Sequence, residues 1–300
     1  MSPQRESSVP YFGVHESIAG GFHQAVTRAA SYGFDTVQIF SKNSNQWRGA
    51  PISDEAVEAF TSALESTGLA APLIHDSYLI NLASPKSDLL DKSIAAFADE
   101  LKRAERLGIG AVVTHPGSYT TSSEQEGIRT IIRALDTILA SSPKSVTVLL
   151  ETTAGQGTNL GCRFEHLAEM IAGCSHNDRL GVCFDTCHVF ASGYDFSTKD
   201  AYESTISEFD RVIGLDRLKA FHLNDSVREI GSKIDRHAHI GYGKIGREPF
   251  GFIVTDPRFA KTPMYLETPK GTTEIDGQQL DWDAVNLETL RSLVKGKQQP

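Results

Sequence analysis

The chain has few cysteines for its length. Only four occur in 300 residues, at positions 162, 174, 183 and 187. Small extracellular domains pair many cysteines to compensate for a small core, and this composition excludes such a disulfide framework. A reducing, intracellular compartment is therefore the expectation.

Long apolar runs and an excess of basic residues are also lacking. No apolar run approaches the roughly 18 residues typical of a membrane-spanning helix, and residues 1–10, MSPQRESSVP, lack a signal core and are expected to form a disordered lead-in. The formal net charge is −9. This charge argues against non-specific binding to nucleic acid or acidic lipid, unless bound cations change the local field.

Short apolar runs typical of buried strands alternate with amphipathic stretches typical of helices. The runs cover residues 11–15, 36–40, 71–75, 111–115, 146–151, 180–185, 218–223 and 263–267. Nearly continuous apolar strands are buried on both faces, so this alternation predicts an α/β fold, a (β/α)₈ TIM barrel. Since no Pro- or Gly-rich linker divides the chain, one domain is predicted over residues 11–297.

Histidines and carboxylates terminate most of the predicted strands. They are His15, His75, His115, Glu151, Asp185, His222 and Glu267. A parallel barrel brings the carboxyl ends of its strands to one face, so these residues are expected to converge there. Buried carboxylates repel one another unless cations neutralise them. Such a donor set suits Zn²⁺ in a hydrolytic site, with Mn²⁺ or Fe as alternatives.

Three further ligand candidates, His188, Asp235 and His237, lie just past strand ends. The whole set exceeds what two metals need, which predicts three. The positive charge of three divalent cations would exceed the negative charge of the four carboxylates, so that an anionic phosphodiester could bind there. Residues 222–247 are too long for a simple connection and are predicted to be functional.

Two eye-catching features receive plainer interpretations. Cys183 and Cys187 lie beside the candidate ligands, but no second cysteine pair completes a structural zinc site, so both are interpreted as packing thiols. The Gly-x-Gly sequence at 155–157 is a weak signal for phosphate binding and is interpreted as a tight loop after the fifth strand.

Several long motifs resemble those of the endonuclease IV family of apurinic/apyrimidinic endonucleases. They are HDSYLINLASP (75–85), THPGS (114–118), ETTAGQGTNLG (151–161), GVCFDTCHVFASGYD (181–195), FHLNDS (221–226), DRHAHIGYGKIG (235–246) and YLET (265–268). The resemblance implies a (β/α)₈ barrel with three zinc ions, one or more of which Mn²⁺ can replace. It also implies hydrolysis of DNA on the 5′ side of abasic sites, leaving a 3′-hydroxyl and a 5′-deoxyribose phosphate.

The resemblance also assigns ligands and catalytic roles. The first zinc would take His75, His115 and Glu151; the second Glu151, Asp185, His222 and Glu267; and the third His188, Asp235 and His237. Glu151 would hold the metal pair and Glu267 would orient the attacking water. His15 is expected to support the site without binding metal. His239 competes with His237, and the order Asp-Arg-His favours His237.

Two segments are expected to contact DNA. The candidates are Asn43, Asn45, Gln46, Trp47, Arg48, Tyr78 and Leu79. Extruding an abasic nucleotide costs little stacking, and Tyr78 and Leu79 form an apolar wedge able to enter the gap. Local packing is the alternative interpretation of Trp47 and Tyr78. A known bacterial pattern reads K-N-x-R-Q-W, so the neutral Asn45 weakens the expectation that a cation fills the gap.

Two other classes of protein compete with this interpretation. A metal-dependent sugar isomerase or epimerase on the same barrel would need one or two metals, so the third ligand set discriminates against it. A non-enzymatic DNA-binding protein would not need so many buried carboxylates.

The expected partner is double-stranded DNA that contains abasic sites or blocked 3′ ends. The enzyme is expected to be a monomer and to remove the blocking groups from such 3′ ends as a second activity. No membrane partner is expected. The compartment would be the cytoplasm at the nucleoid in a prokaryote, or the nucleus or mitochondrion in a eukaryote.

Overall fold

Eight parallel strands close into a barrel in the computed structural model, which describes residues 10–296. The strands are β1 (Phe12–Glu16), β2 (Thr36–Phe40), β3 (Leu73–His75), β4 (Ala111–Thr114), β5 (Thr147–Glu151), β6 (Leu180–Asp185), β7 (Leu218–His222) and β8 (Met264–Leu266). Each pairs with its neighbours in chain order, and β8 closes the ring against β1. The predicted (β/α)₈ barrel and all eight of its strands are confirmed.

Helices cover the outside of the barrel. They are α1 (Phe22–Tyr32), α2 (Asp54–Thr67), α3 (Ser87–Arg106), α4 (Glu124–Ser141), α5 (Phe164–Gly173), α6 (Thr186–Ser192), α7 (Lys199–Val212), α8 (Arg247–Val254) and α9 (Trp282–Gly296). In α3, Phe97, Leu101 and Ala104 recur at helical spacing and are buried in the core between helices and strands.

The barrel interior contains a separate apolar layer. Its residues are Leu73, Val113, Leu149, Cys183, Ala220 and Tyr265. Side chains along a strand return to the same face at every second residue. Each residue of this layer therefore stands directly beneath a predicted site residue two positions further along, as Leu149 does beneath Glu151. The layer forms a dry floor under the polar end of the barrel.

Gly13 of β1 makes room for the largest side chain of this floor. A Cβ at position 13 would lie 2.5 Å from Cγ2 of Thr36 and 2.6 Å from Cδ1 of Tyr265. With glycine there, the Tyr265 ring fills the interior and its hydroxyl donates to the Ala71 carbonyl over 2.6 Å.

The long segment after β7 contains its own small antiparallel pair, in which residues 225–226 bond to residues 237–238. The buried Asp225 carboxylate accepts hydrogen bonds from the backbone amides of Gly241, Gly243 and Ile245, at 3.0, 3.0 and 2.9 Å. A second hairpin, residues 272–281, precedes α9. The sequence predicted a long loop but neither pairing, because such short strands leave little alternation to detect.

The predicted domain boundaries stay predictions. The lead-in at residues 1–10 lies, apart from Pro10, outside the described residues, and so does the predicted domain end at 297. Across residues 10–296, none of the helices combines the length and apolar character needed to cross a membrane.

Candidate metal centre

The carboxyl ends of the strands bring the predicted ligands together. His75, Glu151, Asp185 and His222 are the last residues of β3, β5, β6 and β7, while His115 and Glu267 directly follow β4 and β8. Glu151, Asp185 and His222 are fully buried. The barrel thus places side chains separated by up to 192 positions of sequence above the same apolar floor.

Glu151 lies at the centre of the cluster and uses both carboxylate oxygens. Its Oε2 is 3.1 Å from Nε2 of His75 and 3.0 Å from Nε2 of His115. Its Oε1 is 2.9 Å from Nδ1 of His222 and 3.3 Å from Nδ1 of His188. One carboxylate between four imidazoles has the geometry of a ligand shared by two cations.

Two donor groups meet at this carboxylate. The first contains His75, His115 and Glu151, and the second contains Glu151, Asp185, His222 and Glu267. Within each group the donor atoms lie within 4.8 Å of one another. Two ligands at about 2.0–2.2 Å from one Zn²⁺ ion lie at most about 4.4 Å apart, which is close to this limit. The structure therefore brings together the residues predicted for the first two metals.

The residues predicted for the third metal meet through Asp235. Its Oδ2 is 3.1 Å from Nε2 of His188, and its Oδ1 is 3.2 Å from Nε2 of His237. Donor atoms of His188 and His237 also group with Asp185, which belongs to the second donor group as well. The third set thus adjoins the first two.

Cys187, which the sequence interpretation treated as a packing thiol, lies within one of the donor groups of the structure. Its sulfur groups with Asp235 and His237. However, the thiol donates to the Arg236 carbonyl over 3.6 Å, and burial raises the pKa of Cys187 to about 12. Since a cysteine binds metal as the thiolate, we retain packing as the interpretation of Cys187. Cys183 belongs to the apolar floor.

The carboxylates and imidazoles of the centre stabilise one another's charged forms and so shift one another's pKa values. Burial favours the neutral acid at Glu151, but His222 and His115 keep its pKa well below the usual range. Burial likewise opposes protonation of His75, yet the hydrogen bond and charge of Glu151 raise the pKa of His75 to about 10. At His237, Asp235 overcomes burial and raises the pKa to about 9. Protons thus occupy positions for which a metal ion would compete.

Three ring nitrogens support a metal rather than a purely hydrogen-bonded cluster. Nε2 of His115, His188 and His237 is buried and lies 3.0–3.2 Å from a carboxylate oxygen, but none of these contacts has the angle of a hydrogen bond, and no other residue among 10–296 supplies one. A buried polar atom without a partner costs about 1–3 kcal/mol. Coordination to cations would satisfy all three nitrogens, so the residues present fit a metal centre.

Metal-free protein should lose stability as the pH rises from 7 to 10. The pKa values of His75 and His237 are raised from the ordinary 6.5 to about 10 and about 9, so their stabilising effect is complete below pH 6.5 and is lost as the pH passes 9 to 10. Thermal melts should show the metal-free Tm falling over this interval, with a smaller fall in metal-loaded protein. A metal-free Tm that rises between pH 7 and 10 would contradict this electrostatic account.

Two other predicted histidines lie outside the donor groups. Nδ1 of His15 is 3.0 Å from Nε2 of Gln38 and 3.7 Å from Oε1 of Glu267, so His15 lies beside the centre. The His239 ring stacks on Trp282 with a centroid separation of 3.7 Å. His237 therefore occupies the position for which His239 competed in the sequence.

Tyr78 stands at the mouth of the centre. Its side chain is 62% exposed, and its ring centroid is 5.6 Å from that of His75. Together with the ligands it lines a cavity of about 460 Å³, to which Arg236 and Pro269 also contribute. Leu79 beside it is half-buried. Sequence reasoning missed Arg236, which lies between two predicted ligands in the Asp-Arg-His order but has no ligand chemistry of its own, and Pro269, which belongs to none of the quoted motifs.

Residues of the loop after β2 line two different cavities. Asn43 is exposed and lines a cavity of about 670 Å³ that reaches His15. Trp47 is half-buried against the core, and with Arg48 it lines a smaller cavity of about 260 Å³ against α3. The other two candidates of this loop, Asn45 and Gln46, are exposed. Contacts of this loop with DNA stay predictions.

A parallel eight-stranded barrel with histidine and carboxylate donor groups at its carboxyl ends defines a metal-dependent enzyme of the TIM-barrel class. A family model described as xylose isomerase-like TIM barrel matches residues 26–293. A probable endonuclease 4 from Geobacter sp. (strain M21) is 51% identical over 285 residues, which cover 95% of this chain and 99% of that protein. The chain belongs to the endonuclease IV family, as its motifs predicted.

Solved structures agree with this assignment. Endonuclease IV from Thermus thermophilus superposes with a TM-score of 0.82 at 38% identity, covering 96% of this chain and 100% of that one. A D-tagatose 3-epimerase-like protein gives a TM-score of 0.69 at 19% identity, covering 96% of this chain and 99% of that one. The second likeness shows the shared fold alone.

Proposed function

We propose that this chain is an apurinic/apyrimidinic endonuclease that hydrolyses the phosphodiester 5′ to an abasic site, leaving a 3′-hydroxyl and a 5′-deoxyribose phosphate. Family membership makes it a DNA-cleaving hydrolase of the endonuclease IV type. The observation that carries the proposal is the pair of donor groups that share the buried Glu151, joined by the third set through Asp235. Incision is expected for a duplex containing one abasic analogue and not for the unmodified duplex.

Three zinc ions would occupy the three donor sets, and Mn²⁺ could replace zinc at one or more of them. Bound cations supply Lewis acidity toward a phosphodiester and activate water near neutral pH. They also offset the charge of Glu151, Asp185, Asp235 and Glu267, which lets an acidic protein accept an anionic substrate at this face.

Metal analysis of the purified protein should give about three ions per chain, because three donor sets are available. The control is the same measurement after dialysis against a chelator, where metal and incision should disappear together and return with added Zn²⁺. Full incision activity with two or fewer ions per chain would contradict the three-metal proposal.

The two catalytic glutamates would act differently. Glu151 is fully buried and held by imidazoles on both oxygens, so it has no freedom to move and serves to fix the centre. Glu267 lines the cavity. Burial raises the pKa of Glu267, but His222 more than offsets this and the pKa falls to about 2. The Glu267 carboxylate therefore stays ionised at neutral pH and can accept a hydrogen bond from the attacking water.

Recognition of the abasic nucleotide would use the mouth of the same cavity. A sugar without a base leaves the stack cheaply, and its phosphate can then reach the donor groups. Tyr78 and Leu79 would occupy the gap left in the duplex, while Asn43, Asn45, Gln46, Trp47 and Arg48 would follow the DNA backbone. Because blocked 3′ ends present the same phosphodiester chemistry, cleaning of such ends is included in the proposal.

The enzyme would act as a monomer formed by one domain over residues 11–297, since the mouth of the barrel must stay open to a duplex. Its place of action would be the DNA itself: the cytoplasmic nucleoid in a prokaryotic cell, and the nucleus or mitochondrion in a eukaryotic one.

The loop after β2 is anchored from below by Arg103 of α3. This buried guanidinium donates to the Ser41 carbonyl over 2.6 Å and to the Ala50 carbonyl over 2.8 Å, so it holds both ends of the loop. The neighbouring Glu100 accepts from the Ser41 hydroxyl and from the buried Lys42 ammonium. The loop thus has a fixed base and exposed polar side chains above it.

Arg103→Lys should raise the KM for an abasic duplex about tenfold, because a lysine cannot donate to both ends of the loop and a charge-assisted hydrogen bond contributes about 1.5–3 kcal/mol. The kcat and the metal content should not change. Steady-state kinetics beside metal analysis provides the measurement. Arg106→Lys, on the exposed side of the same helix, is the matched control. An unchanged KM in Arg103→Lys would refute the role of the anchored loop.

A further inference from the structure

Gln38 is a lone amide in the middle of a buried barrel strand, with apolar residues on either side of it. It lies in the TVQIF run of β2, and its side chain is fully buried in the barrel interior. Its Nε2 is 2.5 Å from Oε1 of Glu267 and 3.0 Å from Nδ1 of His15, and its Oε1 is 2.8 Å from Nε2 of His222. One amide therefore connects two predicted metal ligands at the ends of different strands, His222 of β7 and Glu267 after β8.

Only one orientation of this amide satisfies its neighbours. An ionised carboxylate only accepts hydrogen bonds, so the amide nitrogen of Gln38 must face Glu267. The amide oxygen then faces His222 and can only accept, which requires the proton of the His222 ring on Nε2. A flipped amide would set its oxygen against the carboxylate and its N–H groups against the ring N–H.

This arrangement leaves the other ring nitrogen of His222 free to bind a cation. Its Nδ1 faces the carboxylates of the same donor group, 2.9 Å from Oε1 of Glu151 and 3.3 Å from Oε2 of Glu267. The Glu267 oxygen that accepts from Gln38 is Oε1, and Oε2 is the one that faces Nδ1 of His222. The amide thus selects one donor atom on each of two ligands.

We propose that Gln38 is a positioning residue of the metal pair, which orients His222 and Glu267 for binding the metal that they share with Glu151 and Asp185. The inference rests on the proposed metal centre. Partners of this kind hold a ligand in the correct tautomer and direction, and their loss lowers metal affinity by about 10–100-fold. The sequence carries a signal for it: a single amide between the apolar residues Val37 and Ile39 of a strand that is buried on both faces.

The first test replaces the amide with an apolar side chain of similar length. In Gln38→Met, the affinity for one of the bound zinc ions should fall about 10–100-fold, while the other ions are retained. The measurement is zinc per chain across a series of zinc-buffered dialyses, with Zn²⁺ alone as the probe. No change in zinc retention in folded Gln38→Met would overturn the proposal.

Thr36→Val is the matched control. Thr36 lies two residues earlier on β2, is fully buried, and donates to the Ala71 carbonyl over 2.9 Å. The variant therefore also loses a buried hydrogen bond inside the barrel, but at a distance from the donor groups. Its zinc retention should match that of the unaltered protein. An equal loss in Thr36→Val would show a general packing effect and overturn the specific role of Gln38.

A second measurement needs no variant to fold. A crystal structure of the zinc-loaded, unaltered protein should show zinc on Nδ1 of His222 and Gln38 within hydrogen-bond distance of Nε2. Zinc on Nε2 instead would overturn the proposal. Neither measurement uses DNA, so the two hypotheses fail separately. If the protein does not cleave abasic DNA but Gln38→Met still loses zinc affinity, the proposed function falls and the role of Gln38 stands.

Discussion

Glu151→Gln is expected to lower the rate of abasic-site incision on the order of 10⁴-fold and to remove the metal pair from the protein. Both oxygens of Glu151 contact imidazoles, with Nε2 of His75 and His115 on one side and Nδ1 of His222 on the other. A glutamine offers one acceptor and presents N–H donors where the second should be. It also removes the negative charge that two cations would share.

The measurements for Glu151→Gln are single-turnover incision of an abasic duplex and metal per chain. Glu165→Gln is the matched control, since it makes the same chemical change on the exposed surface of α5 and should leave both quantities unchanged. The Tm of the metal-free variant reports whether the barrel still folds. Incision by Glu151→Gln within tenfold of the unaltered protein would refute the shared-carboxylate account.

Asp235→Asn is expected to lower incision about 10²–10³-fold with loss of one metal ion. Asp235 joins His188 and His237 through its two oxygens, at 3.1 and 3.2 Å, and contributes the only carboxylate predicted for the third ion. The donor groups around Glu151 do not include it, so the metal pair should survive. A sugar isomerase or epimerase would not depend on this residue for a third metal.

Metal analysis and single-turnover incision, run together, provide the measurement for Asp235→Asn. Glu229→Gln is the control, because Glu229 is an exposed acid in the same loop. Two ions per chain and a slow, detectable incision are the expected pair of results. Three ions per chain, or full activity with two, would contradict the assignment of Asp235 to the third set.

The barrel was predictable because its strands bury both faces. Runs such as 146–151 and 180–185 are almost wholly apolar until their last residue, and that last residue is the polar group that reaches the carboxyl-end face. The period of two along a strand then explains why Leu149 lies in the floor beneath Glu151 and Cys183 beneath Asp185. The same sequence pattern therefore predicts both the strands and the position of the site residues at their ends.

Other parts of the site depend on contacts that the sequence pattern does not encode. The Asp225 carboxylate organises the segment around Gly241 and Gly243 through backbone amides, which any sequence can supply. Arg103 reaches the two ends of a loop over 50 positions away. The orientation of the Gln38 amide depends on partners from two other strands. Such hydrogen bonds join residues far apart in the sequence, so they can be identified only from the folded barrel.

The central claim is best tested by incision of a duplex that carries one tetrahydrofuran abasic analogue, with both product ends analysed. The account predicts a single cut on the 5′ side of the analogue, a 3′-hydroxyl that a DNA polymerase can extend, and loss of cutting after chelation that Zn²⁺ restores. No cut, a cut on the 3′ side, or cutting that survives complete metal removal would contradict it.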